Sequence, residues 1–203
     1  MEYITTVDNL EALFGVVGEA SLRKEVPLLH PHYRAWIEKS PFAVLATIGV
    51  NGLDTSPRGD PAPLVNIRDD RTILLPERRG NNRIDSLKNI LYDPRVSLIF
   101  FIPNVGETVR VNGTAKICAE PPLLEQFAVN GQLPKCVIEI AVETVFFQCA
   151  RAMLRSSLWE QGKLAGKPNV PTAGQLLSAL TNKDIDGVTY DKELLARQAK
   201  TLY

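Results

Sequence analysis

The 203-residue sequence has few of the residues on which metal and thiol chemistry depend. It contains three widely spaced cysteines, Cys118, Cys136 and Cys149, and only two histidines, in the segment His30-Pro31-His32. No CxxC pair is present, and no carboxylate or cysteine beside the histidines completes a metal site. The odd number of cysteines favours buried, reduced thiols over a disulfide, a zinc site or a catalytic Cys–His pair. We therefore expect no bound metal.

The sequence also lacks an excess of charge of either sign, since it has 23 basic and 23 acidic residues. Without a basic surplus, binding to nucleic acid or to an anionic membrane is not expected. The longest apolar runs, residues 42–48 and 96–102, are too short to span a bilayer. The first residues, MEYITTVDNLEALFG, are acidic where a signal peptide is basic, so we expect a cytoplasmic protein.

The common glycine-rich nucleotide motifs are missing as well, because nothing matches GxGxxG or GxxxxGK[ST]. This argues against a Rossmann or P-loop enzyme. The apolar fraction of 45% and the charged fraction of 23% are typical of a globular domain. The length predicts one domain over 1–203, with peripheral helices in 1–40, a barrel in 42–150 and a helical arm in 151–203.

The pattern of apolar residues between positions 42 and 149 predicts a series of β-strands. The segments are FAVLATIG, LDTSPRG, TILLPE, RVSLIFFIP, ETVRVNGTAKIC and CVIEIAVETVFFQC. Asn51-Gly52, between the first two segments, is a strong hairpin signal. RVSLIFFIP is apolar on both faces, so we expect it to be buried on both sides or to form a barrel wall. Five or six such strands favour a closed or nearly closed barrel, because closure removes exposed edges.

Helices are predicted before, between and after these strands. Asp8 can cap a first helix, and a second helix runs from about Pro31 to Lys39. Between the strands, one helix spans residues 83–91 and another begins at Pro121-Pro122. The tail is helical in parts, over ARAMLRSSLWE and TAGQLLSALT.

The densest concentration of candidate binding residues is the loop PERRGNNRID, residues 76–85, between TILLPE and the following helix. Asn82 is predicted to cap that helix, whose N-terminal N–H groups and partial positive charge favour anions. Arg78, Arg79 and Arg83 add side chains suited to phosphate. The loop therefore predicts a phosphate cradle. A solvated loop whose arginines pair with nearby carboxylates is an equally good interpretation.

Two other strand segments carry polar residues that could face a ligand. In TSPRGD, Arg58 stands beside Gly59, where backbone can approach a ligand closely, although a plain strand exit explains the same residues. In GETVRVNG, alternation places Thr108, Arg110 and Asn112 on one face, which lines a polar pocket or faces water.

A third candidate group lies in the tail. Arg151, Arg155 and Trp159 are four residues apart, so a helix places them on one side. There they could cover a flat aromatic ligand by stacking, or form a surface or a dimer contact.

Taken in order, three strings resemble the FMN-dependent branch of the pyridoxamine-5′-phosphate-oxidase-like proteins. The strings are TSPRGD, LLPERRGNNRIDSLKNILYDPRVSLIFFIPNVGETVRVNG and QCARAMLRSSLW, and GNNR with GETVRVNG is the specific part. The resemblance covers about residues 42–159. It implies a mainly β (α+β) fold, a six-stranded antiparallel split β-barrel with flanking helices. It also implies a homodimer with FMN at the subunit interface.

The resemblance further implies which residues hold the flavin. The implied positions are Ser56, Pro57 and Arg58 along the isoalloxazine; Leu75 and Pro76 beside the ring and ribityl chain; Arg79, Asn81, Asn82 and Arg83 around the phosphate and ribityl; Thr108 in place of a flavin-contacting glutamine; and Arg151, Arg155 and Trp159 reaching from the partner subunit. Two departures separate this sequence from the oxidase proper. Asn81-Asn82-Arg83 stands where the oxidase has an Arg-Lys pair, and the oxidase's C-terminal substrate motif, with arginine and histidine, has no counterpart in ELLARQAKTLY.

The function that the resemblance implies is an FMN-dependent oxidoreductase, transferring hydride to or from the flavin and acting on a small molecule other than vitamin B6 phosphate. No general acid or base stands out in the sequence. One alternative is a flavin carrier or sensor without turnover. Another is a binder of a different planar cofactor, a deazaflavin or a haem, for which His30 and His32 are the only candidate ligands. A third is a structural interaction domain with a vestigial pocket.

Overall fold

The computed structural model describes residue 1, residues 3–160 and residues 170–203. One antiparallel sheet contains the strands β1 (Phe42–Gly49), β2 (Gly52–Gly59), β3 (Asn66–Ile67), β4 (Thr72–Glu77), β5 (Asp93–Phe101), β6 (Thr108–Cys118) and β7 (Cys136–Gln148). The helices are α1 (Val7–Phe14), α2 (Glu19–Arg23), α3 (Pro31–Ile37), α4 (Asp85–Tyr92), α5 (Pro121–Glu125), α6 (Arg151–Ser156), α7 (Ala173–Leu180) and α8 (Gly187–Lys200). The fold is mainly β, with flanking helices as predicted.

The sheet forms a split barrel. Its strand order is β2-β1-β5-β6-β7-β4-β3, so β2 and β3 are the two ends and the described strands do not close into a ring. Arg58 of β2 nevertheless lies 3.3 Å from Glu77 of β4, which places strands from opposite halves of the sheet side by side. The strand count is seven where six were predicted. The extra strand, β3, has only two residues and no periodicity that a sequence could reveal.

The barrel interior is filled by side chains that alternate along the strands. Leu45 of β1, Leu98 of β5, Val111 of β6 and Ile140 of β7 are each at most 1% exposed. Burying such side chains is the main favourable term in the free energy of folding. Of the two alternatives predicted for β5, the barrel wall is the one observed, because the side chains of its outer face, including Ile99, are half-buried rather than buried.

The β1–β2 hairpin is present, but its turn lies one residue earlier than predicted. Gly49 pairs with Gly52, so the two turn residues are Val50 and Asn51. Gly52 begins β2 with a φ of 101°, a conformation that side chains other than glycine rarely adopt. Gly52 is therefore the first residue of β2 and not the second residue of the turn.

β6 and β7 form the longest pairing in the sheet, and it includes a register shift between Asn112 and Gly113. At this point the two backbones are very close. A Cβ added to Gly113 would lie 2.0 Å from the carbonyl oxygen of Ala141. The shift thus depends on a residue without a side chain.

The ends of several helices differ from prediction. The α1 cap is Thr6 rather than Asp8, since the Thr6 hydroxyl accepts a hydrogen bond from the Asn9 amide. Helix α3 ends at Ile37 rather than Lys39, and α2 and α8 were not predicted. No helix in the described part of the chain has the length and apolar character that a membrane crossing requires.

The last residues return to the barrel. Helices α7 and α8 pack against each other, and the Asp191 carboxylate of α8 accepts hydrogen bonds from the Gly174 amide and the Thr172 hydroxyl. After α8, the Tyr203 hydroxyl donates to Asp60 Oδ1 at 2.8 Å, just beyond the end of β2. This contact connects the end of the chain to the region of the predicted site.

Candidate functional site

A hollow of about 610 Å³ lies where β2, the loop after β4 and the start of α4 meet. We call it the main hollow. Among the residues that line it are seven of the predicted site residues: Ser56, Pro57, Arg58, Arg79, Asn81, Asn82 and Arg83. Leu75 and Pro76 are buried beside it, where they border a smaller hollow of about 180 Å³ that is also lined by Arg58 and Arg79. Nine positions far apart in sequence therefore lie in one region.

Arg58 is held firmly in the wall of the main hollow. Its side chain is 15% exposed, and its Nη1 donates to Ser56 Oγ at 2.5 Å and to the Pro57 carbonyl oxygen at 3.1 Å. Its Nη2 lies 3.3 Å from Glu77 Oε2, which completes an ion pair between β2 and β4. A guanidinium fixed in this way presents its charge to a ligand with little loss of side-chain entropy.

Glu77 is one of the lining residues that the sequence analysis did not assign to the site. Burial raises the pKa of its carboxyl group, while the positive charge of Arg58 opposes that rise. Glu77 Oε2 and Arg58 Nε are buried without a hydrogen-bond partner. Two such atoms in one ion pair are unusual, because a buried polar group without a partner costs free energy. The only signal in the sequence was a carboxylate at the end of a buried strand, next to arginines.

The basic loop does not have the predicted cap. Asn82 has a φ of 61°, and helix α4 begins only at Asp85, with Ile84 in the capping position and no side-chain cap. Instead, Asn81 Oδ1 accepts a hydrogen bond from the Arg83 amide at 3.1 Å. An asparagine side chain that bonds backbone two residues ahead forms a turn of its own, and this turn separates the loop from the helix.

Two of the loop arginines form ion pairs with carboxylates, and the third forms none within the described residues. The interpretation as a solvated, ion-paired loop therefore holds for two of them, and the interpretation as a phosphate cradle stays open for the third. Arg78 Nε lies 2.8 Å from Asp60 Oδ2, and Arg83 Nε lies 2.8 Å from Asp85 Oδ2. Arg79 is exposed and forms no ion pair with any residue that the structure describes. Of the three, Arg79 is therefore the arginine available to an anionic ligand.

Three of the remaining predicted residues lie in a second hollow, of about 500 Å³, which we call the arm hollow. Thr108, Arg151 and Arg155 line it together with Ile99 and Phe101 of β5. None of the residues that the structure describes lines both this hollow and the main hollow. Within one chain, the predicted site residues are thus separated into two groups.

Trp159 lines neither hollow. It is half-buried, and its indole Nε1 donates to the Val105 carbonyl oxygen at 2.7 Å. This hydrogen bond ties the segment after α6 to the turn before β6. The indole therefore fixes the position of the arm.

The polar face of β6 is mostly occupied by contacts within the sheet. Asn112 Oδ1 accepts from Ser97 Oγ at 2.7 Å, and its Nδ2 donates to Thr144 Oγ1 at 3.1 Å. Arg110 lies over the Phe146 ring, 5.0 Å from its centroid. Only Thr108, at the start of the strand, borders a hollow.

The histidines lie away from both hollows. His30 and His32 are exposed, and His30 Nδ1 accepts a hydrogen bond from the His32 amide at 3.3 Å. Within the described ranges, no three His, Cys, Asp or Glu side chains come together as a metal site would require.

The cysteines are free, but only one of them is buried as expected. Burial, with the negative charge of Glu77, raises the pKa of Cys136 to about 11, so this thiol stays protonated and unreactive. Cys118 is half-buried, and Cys149 is exposed beside the arm hollow, which corrects the prediction of buried thiols. The sequence could not reveal this exposure, because Cys149 follows directly on the last residue of β7.

A family model described as pyridoxamine 5'-phosphate oxidase matches residues 29–149, which is more than half of the chain. The match includes the main hollow and all seven strands. No curated protein matches the chain in sequence.

Several solved structures have a similar fold. HupZ of Group A Streptococcus is 23% identical, with a TM-score of 0.48 over 59% of this chain and 94% of that chain. General Stress Protein 26 from Bacillus anthracis str. Sterne is 17% identical, with a TM-score of 0.44 over 56% of this chain and 88% of that chain. An F420 reductase is 16% identical, with a TM-score of 0.41 over 59% of this chain and 98% of that chain.

Proposed function

The chain belongs to the pyridoxamine 5'-phosphate oxidase family, and from this premise we propose that it binds FMN and is an oxidoreductase acting on a small molecule. The observation that carries the proposal is the main hollow, where the end of β2 meets the basic loop after β4. The oxidase's own reaction is not proposed, because of the two departures noted in the sequence.

The residues of the main hollow fit the chemistry of FMN. Its volume of about 610 Å³ lies within the usual range for cofactor sites, about 300–1,000 Å³. One end has cationic and amide side chains suited to a phosphate, among them Arg79 and Asn82. The other end has the flat, apolar ring of Pro57 beside the fixed guanidinium of Arg58, which suits a planar ring with a polar edge.

When bound, FMN supplies the hydride or electron transfer itself. The protein's part is to bind, orient and shield it. Arg58 would hold its fixed guanidinium toward the ring and would stabilise negative charge there. Leu75 and Pro76, both buried, keep water from the inner side of the site.

We further propose that the active form is a homodimer, in which each FMN contacts the main hollow of one copy and the arm hollow of the other. This explains why Thr108, Arg151 and Arg155 lie apart from the main hollow within one chain. Helix α1 buries none of its residues in the single chain, and Phe14 is 78% exposed. Large exposed apolar side chains on one helix fit a surface that a second copy covers.

The first test is the visible absorption spectrum of the purified protein, with the mass of the released cofactor. We expect a flavin spectrum and the mass of FMN. A double variant, Arg79→Ala with Asn82→Ala, should weaken FMN binding at least about tenfold, because it removes the charge available to an anion and an amide beside the phosphate. Lys116→Ala, at an exposed position of β6, is the control. Unchanged FMN affinity in the double variant would contradict the proposal.

A flavin carrier without turnover is the second candidate function. It is favoured by one observation: Glu77, the acid of the main hollow whose pKa burial raises, is engaged by Arg58. Anaerobic mixing with NADH or NADPH distinguishes the two. Bleaching of the flavin absorbance on the time scale of seconds indicates an enzyme, and a spectrum that stays oxidised with both donors indicates a carrier.

A further inference from the structure

A second cavity, which we call the side recess, adjoins the main hollow. It has a volume of about 360 Å³, and Arg78, Arg79, Asn82 and Lys135 line both cavities. Tyr203, the residue that returns from α8, forms its far wall. Because four residues are shared, a ligand in the main hollow can extend into the side recess.

The far wall of the side recess is rigid and close to neutral in charge. Asp60 accepts from Arg78 Nε through Oδ2 and from the Tyr203 hydroxyl through Oδ1, each at 2.8 Å. Arg78 also donates to the Phe127 carbonyl oxygen at 2.6 Å, and its guanidinium lies 5.5 Å from the centre of the Tyr203 ring. Both Asp60 oxygens are therefore occupied, and its charge is balanced by Arg78.

The cations that remain are Arg79 and Lys135. Both are exposed, and neither forms an ion pair with any residue in the described part of the chain. Unpaired surface lysines are common, and Lys116 is another. What distinguishes Lys135 is that it lines the same concave surface as Arg79 and the Asn82 amide. Two like charges at one cavity are best accommodated by an anion that both contact.

We propose that the side recess is a phosphate subsite, in which Arg79 and Lys135 together bind a phosphate monoester against the wall formed by Tyr203. The inference rests on the proposed function, because the side recess adjoins the proposed flavin site. It assigns a role to Lys135 and Tyr203, which no sequence motif marked. The phosphate has two possible sources. It is either the phosphate of the flavin itself or one carried by a second ligand.

The experiment compares Lys135→Ala with Lys116→Ala, using FMN, riboflavin and inorganic phosphate as probes. If the flavin phosphate binds here, Lys135→Ala weakens FMN binding about tenfold and leaves riboflavin binding unchanged, because riboflavin has no phosphate. If a second ligand binds here, FMN binding is unchanged, and inorganic phosphate binds the flavin-loaded protein about tenfold more weakly in Lys135→Ala. Lys116→Ala should resemble the native protein in every case.

The proposal is overturned if Lys135→Ala changes neither FMN binding nor phosphate binding. If the proposed flavin function is wrong, the result is different, because the native protein then binds neither FMN nor riboflavin. Phosphate binding to the purified protein can still be measured in that case by ³¹P line broadening. Since Lys135 is exposed, its substitution does not endanger folding. Tyr203→Phe supplies a second variant. It frees one Asp60 oxygen beside the subsite, so it should weaken phosphate binding as well, by a smaller factor.

Discussion

Ile84 holds a backbone conformation that β-branched residues rarely adopt. Its φ is 52° and its ψ is 23°, in the left-handed helical region. For an L-residue this conformation costs about 1–2 kcal/mol, and only glycine, asparagine and aspartate visit it readily. Ile84 lines the main hollow between the basic loop and α4. Strain of this kind tends to persist at functional sites, where the surrounding structure enforces it.

Replacing Ile84 with asparagine should therefore stabilise the protein. The side chain is 52% exposed and is not part of the hydrophobic core, so its replacement leaves the core packing intact. We expect a gain of about 1 kcal/mol in the free energy of unfolding, measured by urea denaturation. Ile84→Val keeps the branched Cβ and should show no gain. A less stable Ile84→Asn protein would indicate that the isoleucine side chain makes contacts that outweigh the strain.

At the scale of the residue, the sequence could predict which side chains belong to the site but not what each of them contacts. Composition and motif marked the loop arginines. Only the fold decides that Asp60 pairs with Arg78 and Asp85 with Arg83, while Arg79 forms no ion pair with the residues that are described. Glu77 escaped notice for the same reason. Burial raises the pKa of Glu77, and the charge of Arg58, 19 residues away in sequence, opposes that rise. No local pattern encodes the approach of the two residues.

At the scale of the element, periodicity was a good guide to the strands. The bounds of β1 and β4 agree with prediction, because apolar side chains alternate or run together where strands enter the core. Helix ends were less predictable. Side chains at helix ends compete for the same backbone donors, and at α4 the Asn81 side chain forms its own turn instead of a cap.

The register shift in the β6–β7 pair gives a prediction at this scale. Gly113→Ala places a Cβ 2.0 Å from the Ala141 carbonyl oxygen, within a backbone pairing that cannot move without disturbing both strands. We expect the free energy of unfolding to fall by about 1–3 kcal/mol, the usual cost of overpacking. Denaturant unfolding measures it, and Lys116→Ala, exposed on the same strand, should stay within about 0.5 kcal/mol of the native value. A Gly113→Ala protein of native stability would mean that the strands separate here at little cost.

At the scale of the whole molecule, the main question is why the predicted site residues occupy two cavities. No residue within 3–160 or 170–203 lines both the main hollow and the arm hollow, although the family resemblance assigns residues of both to one flavin. No periodicity in a single sequence reveals such a division. It follows from the fold, which places the end of β2 and the start of β6 in different parts of the barrel. A two-fold symmetric dimer resolves it, since the same two surfaces then meet twice.

This dimer can be tested by mixing two damaged proteins. One carries Arg79→Ala with Asn82→Ala in the main hollow, and the other carries Arg151→Ala with Arg155→Ala in the arm hollow. Each alone should bind FMN weakly. After unfolding and refolding together, half of the dimers are mixed if pairing is random, and each mixed dimer has one intact site. About a quarter of all sites should then regain native FMN affinity, as measured by flavin fluorescence quenching. If both groups of residues served a site within one chain, mixing would restore none.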